Sequence, residues 1–124
     1  MLLEPLNLHD HPGYFLDNSD LAFTVVRTIR SPYLKVLFDI YHMQRAEGHI
    51  LETISRYSEE IGYFHIADVP GRYEPGTGEL HYPNILQAIQ RLGYTGTIGF
   101  ECRPQSSETL ALTRIKTLIE QITG

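Results

Sequence analysis

The sequence predicts an α/β fold of four strand–helix units over residues 1–124, forming one domain with parallel strands and outer helices. Two observations carry this prediction. Short apolar runs of strand length alternate with longer segments of helical periodicity, and cap or stop residues bracket each helical segment. Strands separated by helices pair in parallel through right-handed crossovers.

The strands are expected at residues 2–6 (LLEPL), 34–39 (LKVLFD), 63–68 (YFHIAD) and 97–101 (TIGFE). The first helix follows Asn18 and Ser19, carries Leu21, Val25, Val26 and Ile29 at helical spacing, and stops at Ser31-Pro32. The second runs from about Glu47 to Glu60, with Ile50, Leu51, Ile54 and Tyr57 on one face and Gly62 beyond its end. The third covers Pro83 to Leu92 and ends at Gly93; the last starts near Ser106 or Ser107 and continues to Ile122. Two architectures share this pattern, an open doubly wound sheet and part of a (β/α)₈ barrel.

Composition narrows the function. A net charge of −5 leaves no basic footprint for a phosphate backbone, which argues against nucleic acid and anionic membrane surfaces as partners. Cys102 is the only cysteine, so neither an internal disulfide nor a thiolate cluster is available, and a cytoplasmic location is expected. The N-terminal MLLEPLN has no basic region and is broken by Glu4 and Pro5, unlike a signal peptide, and no run approaches the roughly 20 apolar residues of a membrane span.

Each expected strand carries a potential ligand or base near its end: Glu4, Asp39, His65 and Glu101. Alternation places Thr97, Gly99 and Glu101 on one face of their strand and Cys102 on the other; it likewise separates His65 from Asp68. Three carboxylates and an imidazole at one rim would repel unless a cation neutralised them. An oxygen-rich set with one nitrogen suits Mn²⁺ or Mg²⁺ before Zn²⁺. His9 and His11 in HDHPG read as a surface turn, and His49 and His81 as exposed helix-start or loop residues.

Four stretches, LLEPLN, FDIYHMQRAEGHI, HIADVPGRYEPGTGELHYPNI and GYTGTIGFECRP, resemble the hydroxypyruvate isomerase family within the xylose isomerase-like barrel superfamily, which includes ketose 3-epimerases. The resemblance spans essentially the whole chain but only the second half of a barrel of about 250 residues. It implies a half (β/α)₈ TIM barrel, with Glu4, Asp39, His65 and Glu101 matching the metal ligands and His42 and Arg72 holding substrate. Hydroxypyruvate isomerases commonly carry glutamine at the third ligand position, so His65 is the histidine of the epimerases.

The implied chemistry is metal-dependent isomerisation of hydroxypyruvate or a related small keto acid through an enediolate, with Glu4 and Glu101 as base and acid. His42 and Arg72 would bind hydroxyl or carboxylate groups of a keto acid or sugar. A ketose 3-epimerase and a non-catalytic half-barrel fragment are the alternatives, and a barrel endonuclease is disfavoured by the acidic charge. Open strand edges imply association, either as a homo-oligomer or with a missing N-terminal half-barrel.

Overall fold

The computed structural model describes residues 1–123. Its elements in chain order are β1 (Leu2–Leu3), α1 (Ser19–Ile29), β2 (Lys35–Asp39), α2 (Ile40–Ala46), α3 (Ile50–Tyr57), β3 (Ile61–Ile66), α4 (Tyr82–Arg91), β4 (Thr97–Phe100) and α5 (Glu108–Thr123). The strands form one sheet in the order β1-β2-β3-β4, and every neighbouring pair is parallel. A doubly wound sheet reverses direction at a switch point, whereas sequential order with right-handed crossovers puts all helices on one face. The arrangement is therefore that of consecutive barrel strands.

Strand alternation divides the side chains. Val36 and Phe38 of β2 and Phe64 and Ile66 of β3 are buried under the helices. Phe38 meets Phe64 edge-on, and Phe23 of α1 stacks on Tyr57 of α3 with centroids 4.1 Å apart. Leu37, Tyr63 and His65 face the opposite side and stay half-buried. Asp39 pairs in register with His65, and His65 with Gly99, so strand ends of three neighbours lie at one height.

Several boundaries differ from the sequence-based expectation. Strand β1 stops at Leu3 because Pro5 has no N–H for a ladder, and Leu6 N bonds Leu16 O instead. Helix α1 is capped by Asn18, whose side chain accepts from Leu21 N at 2.8 Å, but its buried residues are Ser19, Ala22, Phe23 and Val26. Ile29 is exposed. Helix α2 was not expected: Asp39 caps it, and Ile40 and Met43, three apart, bury completely. Its end is set by Gly48 and His49, both in the left-handed region, which delays α3 to Ile50. On α5 only Ala111 and Leu118 are buried, while Leu110, Leu112 and Ile119 are exposed.

The segment after β3 is organised by Asp68. Its carboxylate accepts from the backbone N–H groups of Val69, Gly76, Thr77, Gly78 and Leu80, at 2.9–3.1 Å. A Cβ at Gly78 would lie 1.9 Å from Val69 O, so only glycine lets the chain close over the carboxylate. Glu74, fully buried, fastens the same loop to the start of α5 by accepting from Gln105 N at 2.9 Å and Arg114 Nη1 at 2.6 Å. No helix among the described residues is long and apolar enough to cross a membrane.

Removing the Asp68 carboxylate leaves several loop N–H groups without their acceptor. Asp68→Ala should lower stability by about 2–4 kcal/mol in urea titrations and speed amide exchange at Gly76–Leu80. Unchanged exchange there would contradict this account of the loop.

Candidate metal centre at the strand ends

Four residues converge where the strands end. Glu4 follows β1, Asp39 ends β2, His65 lies in β3, and Glu101 follows β4, its N–H bonded to Ile66 O. One ligand atom from each lies within 4.8 Å of the others. His65 Nδ1 is 3.6 Å from Glu4 Oε1, 3.8 Å from Asp39 Oδ2 and 3.3 Å from Glu101 Oε2.

Asp39 divides its oxygens between two tasks. Oδ1 accepts from His42 N at 3.2 Å and caps α2, whereas Oδ2 is buried without a hydrogen-bond partner. His65 Nδ1 is likewise buried and unpartnered. Burial pushes the Asp39 carboxyl up to about 6, against the opposing effects of the His42 N–H and Arg72. Burial, with Glu101 close by, also raises Glu4, although His65 draws it down.

These donors fit a divalent cation. Ligand bonds of about 2.0–2.2 Å separate donor atoms around one ion by roughly 3–4.4 Å, which a small contraction of the observed cluster satisfies. Two orphaned buried donors are what such an ion would satisfy, and the three-carboxylate, one-imidazole set suits Mn²⁺, Mg²⁺ or Zn²⁺.

The expected substrate residues lie beside the cluster in different settings. Arg72, with φ 57° in the left-handed region, directs Nη2 to Glu101 Oε2 at 2.5 Å and to within 3.5 Å of Asp39 Oδ2. Its guanidinium also lies over the Tyr41 ring, 5.0 Å from the centroid. His42 is buried. Asn7 N–H donates to its Nδ1 at 3.3 Å, which fixes the proton on Nε2, 3.9 Å from Asp39 Oδ2. Burial, then the charge of Arg72, pulls His42 down to about 4, so it is a neutral donor at pH 7. The ring of His11 lies beside it, tilted, with centroids 5.3 Å apart.

Sequence reasoning missed the supporting network. Asp10 accepts from Tyr41 Oη at 2.6 Å and Asn7 Nδ2 at 3.1 Å, and lies 3.7 Å from Arg45. Burial would raise this carboxyl, but the Tyr41 and Asn7 hydrogen bonds outweigh it and hold it low. Arg45 also reaches Pro70 O at 3.3 Å, joining the loop after β1, helix α2 and the loop after β3. Only the polar residues in LNLHDH signalled this. Cys102, expected on the face away from Glu101, packs against Tyr41, Ala67 and Val69 but also borders the open cavity that Glu101 and Arg72 line.

Sequential parallel strands with outer helices and polar side chains gathered at their carboxyl ends define a part of a (β/α)₈ barrel with a strand-end site. Residues 1–121 match the family described as xylose isomerase-like TIM barrel, and the chain belongs to it. It is 40% identical over 116 residues to the 2-oxo-tetronate isomerase of Cupriavidus necator, covering 94% of this chain and 45% of that one. It is 38% identical over 112 residues to the hydroxypyruvate isomerase of Escherichia coli, covering 90% and 43%. The crystal structure of an AP endonuclease, family 2, from Brucella melitensis superposes with TM-score 0.90 at 33% identity, covering 94% of this chain and 45% of that one. The chain thus spans less than half the length of these relatives.

Two measurements check the cluster. Asp39→Asn and His65→Ala should each weaken Mn²⁺ binding at least tenfold in calorimetric titration, because each removes an anionic or σ-donating ligand. Asp39, with its folded pKa raised, adds stability to the metal-free protein below about pH 4 and loses it as pH rises through about 6. The melting temperature without metal should therefore fall over that range, and Mn²⁺ should restore it at pH 7 but not at pH 4.

Proposed function

We propose that this chain carries the strand-end half of an isomerase active site that moves a carbonyl between adjacent carbons of hydroxypyruvate or a related small 2-oxo acid. The observation that carries the reading is the set of four donors within 4.8 Å, flanked by Arg72, on the strand-end rim. Both curated relatives bear names of isomerases acting on 2-oxo acids, which supports the substrate class. His65, an imidazole at the third ligand position, favours a 3-epimerase as the second reading.

Glu4, Asp39, His65 and Glu101 would hold the ion. When bound, a divalent cation supplies positive charge to the carbonyl and hydroxyl oxygens of the substrate. Glu101, half-exposed and facing the cavity, removes the proton from the hydroxyl-bearing carbon. The electron pair of that C–H bond becomes the double bond of an enediolate, and the carbonyl oxygen takes the negative charge. Return of the proton to the neighbouring carbon leaves the carbonyl on the first carbon, an aldehyde. Glu4, across the cluster and raised by burial, is placed to exchange the hydroxyl proton between the two oxygens. Arg72, held on the Tyr41 ring, keeps the Glu101 carboxylate oriented. His42 presents a neutral N–H toward Asp39 Oδ2 and is buried, so it would act on the substrate through Asp39 rather than by direct contact.

The open edges at β1 and β4, with Leu110, Leu112 and Ile119 exposed on α5, support completion of the barrel by a second half, from another copy or from an N-terminal half-barrel. Glu101→Gln tests the mechanism. In ²H₂O with Mn²⁺, exchange at C3 of hydroxypyruvate, followed by NMR, should drop about 10²–10⁴-fold while Mn²⁺ still binds. Exchange at the parent rate would remove Glu101 as the base.

A further inference from the structure

Next to Glu101 is an open cavity of about 410 Å³ whose walls include Asp10, Tyr41, Arg72 and Arg103. Arg72 and Arg103 differ in how their charge is used. Both acceptor contacts of Arg72 Nη2 go to Glu101 and Asp39, so this guanidinium is engaged with the cluster. Arg45, the next cation, is matched by Asp10. Arg103 forms no ion pair among the described residues; its Nε donates to Gly71 O at 3.3 Å, and its guanidinium lies 5.7 Å from the centroid of the Tyr73 ring.

The backbone holds Arg103 at that wall. Beyond the end of β4 it forms an isolated parallel bridge with Tyr73 and lines the same cavity as Glu101, two residues earlier. Its N–H bonds Arg72 O at 3.0 Å, Asp68 N bonds Tyr73 O at 2.8 Å, and Arg72 N bonds Asp68 O at 2.9 Å. Tyr73 packs so closely on Gly71 that a Cβ there would lie 2.1 Å from its ring, which leaves the Gly71 carbonyl in reach of Arg103. The two arginines are thus fixed relative to each other by a loop that Asp68 already ties down.

Charge then assigns the ligand. A divalent ion held by Glu4, Asp39, His65 and Glu101 would, together with Arg72, balance the three carboxylates and leave Arg103 as the cation in excess beside the cavity. We propose that Arg103, rather than Arg72, takes the carboxylate of the substrate and selects 2-oxo acids over neutral ketoses. This rests on the isomerase reading above. A neutral sugar leaves Arg103 without a partner, while a carboxylate meets a planar fork whose Nε is already anchored.

The test compares two probes that differ only at one carbon: hydroxypyruvate, and dihydroxyacetone, which carries a CH₂OH in place of the carboxylate. Binding to the Mn²⁺-loaded chain is measured by calorimetry, and exchange at the hydroxymethyl carbon by NMR in parallel. Arg103→Ala should raise the Kd of hydroxypyruvate about 10–100-fold and that of dihydroxyacetone less than about twofold, since a charge-assisted contact is lost from one probe only. Arg103→Lys should recover part of the loss, and added salt should weaken hydroxypyruvate binding to the parent more than to Arg103→Ala. Arg72→Ala should weaken both probes alike. Equal losses of the two probes in Arg103→Ala, or none, would overturn the assignment. Selective binding without exchange would sink the isomerase reading and leave Arg103 standing; exchange with no effect of Arg103→Ala on binding would do the reverse.

Discussion

Three carboxylates brought to one rim by parallel strands impose the constraint that governs this molecule. Glu4, Asp39 and Glu101 surround His65 Nδ1 within 3.3–3.8 Å, and Asp39 is almost wholly removed from water. Like charges at such separations raise one another's protonation, and burial adds to the effect. The chain answers with Arg72, whose guanidinium bridges Glu101 and Asp39. One guanidinium offsets one charge of three, so a divalent ion would be the complement that lets all three carboxylates stay ionised.

The loop after β3 exists to deliver that arginine. Arg72 has a left-handed backbone, a conformation that costs a non-glycine residue about 1 kcal/mol or more and persists only where neighbours over-determine it. Here they do. Asp68 gathers the loop N–H groups, Glu74 pins the loop to Arg114 of α5, and the Arg72 backbone is held on either side, its N–H donating to Asp68 O and its carbonyl accepting from Arg103 N. Stability of the loop and placement of the charge are one structural problem, and Asp68 and Glu74 solve it from beneath the site.

Much of this was legible in the sequence because the signals were local. Strand and helix periods gave the four units, Asn18 marked the first helix, and a polar residue near each strand end foretold Glu4, Asp39, His65 and Glu101. What escaped depended on contacts distant in sequence. Helix α2 was hidden because its residues read as a motif and its length is seven. Asp68 was set aside correctly as facing away from His65, yet its role with residues eight to twelve positions later has no periodicity to reveal it. The apolar stripe of α5 promised burial, but Leu112 is 65% exposed on a chain that spans less than half of its relatives' length. The asymmetry between Arg72 and Arg103 required geometry, because in sequence both are arginines beside proline or glycine.

Pulsed EPR of Mn²⁺ bound to the chain tests the central claim most directly, since electron-spin-echo modulation reports each coordinated nitrogen. One ion per site is expected, bearing a single imidazole nitrogen whose modulation shifts to the ¹⁵N pattern when only the histidines are labelled. Mn²⁺ that binds with no histidine nitrogen, or with two, would contradict the four-residue centre at the strand ends.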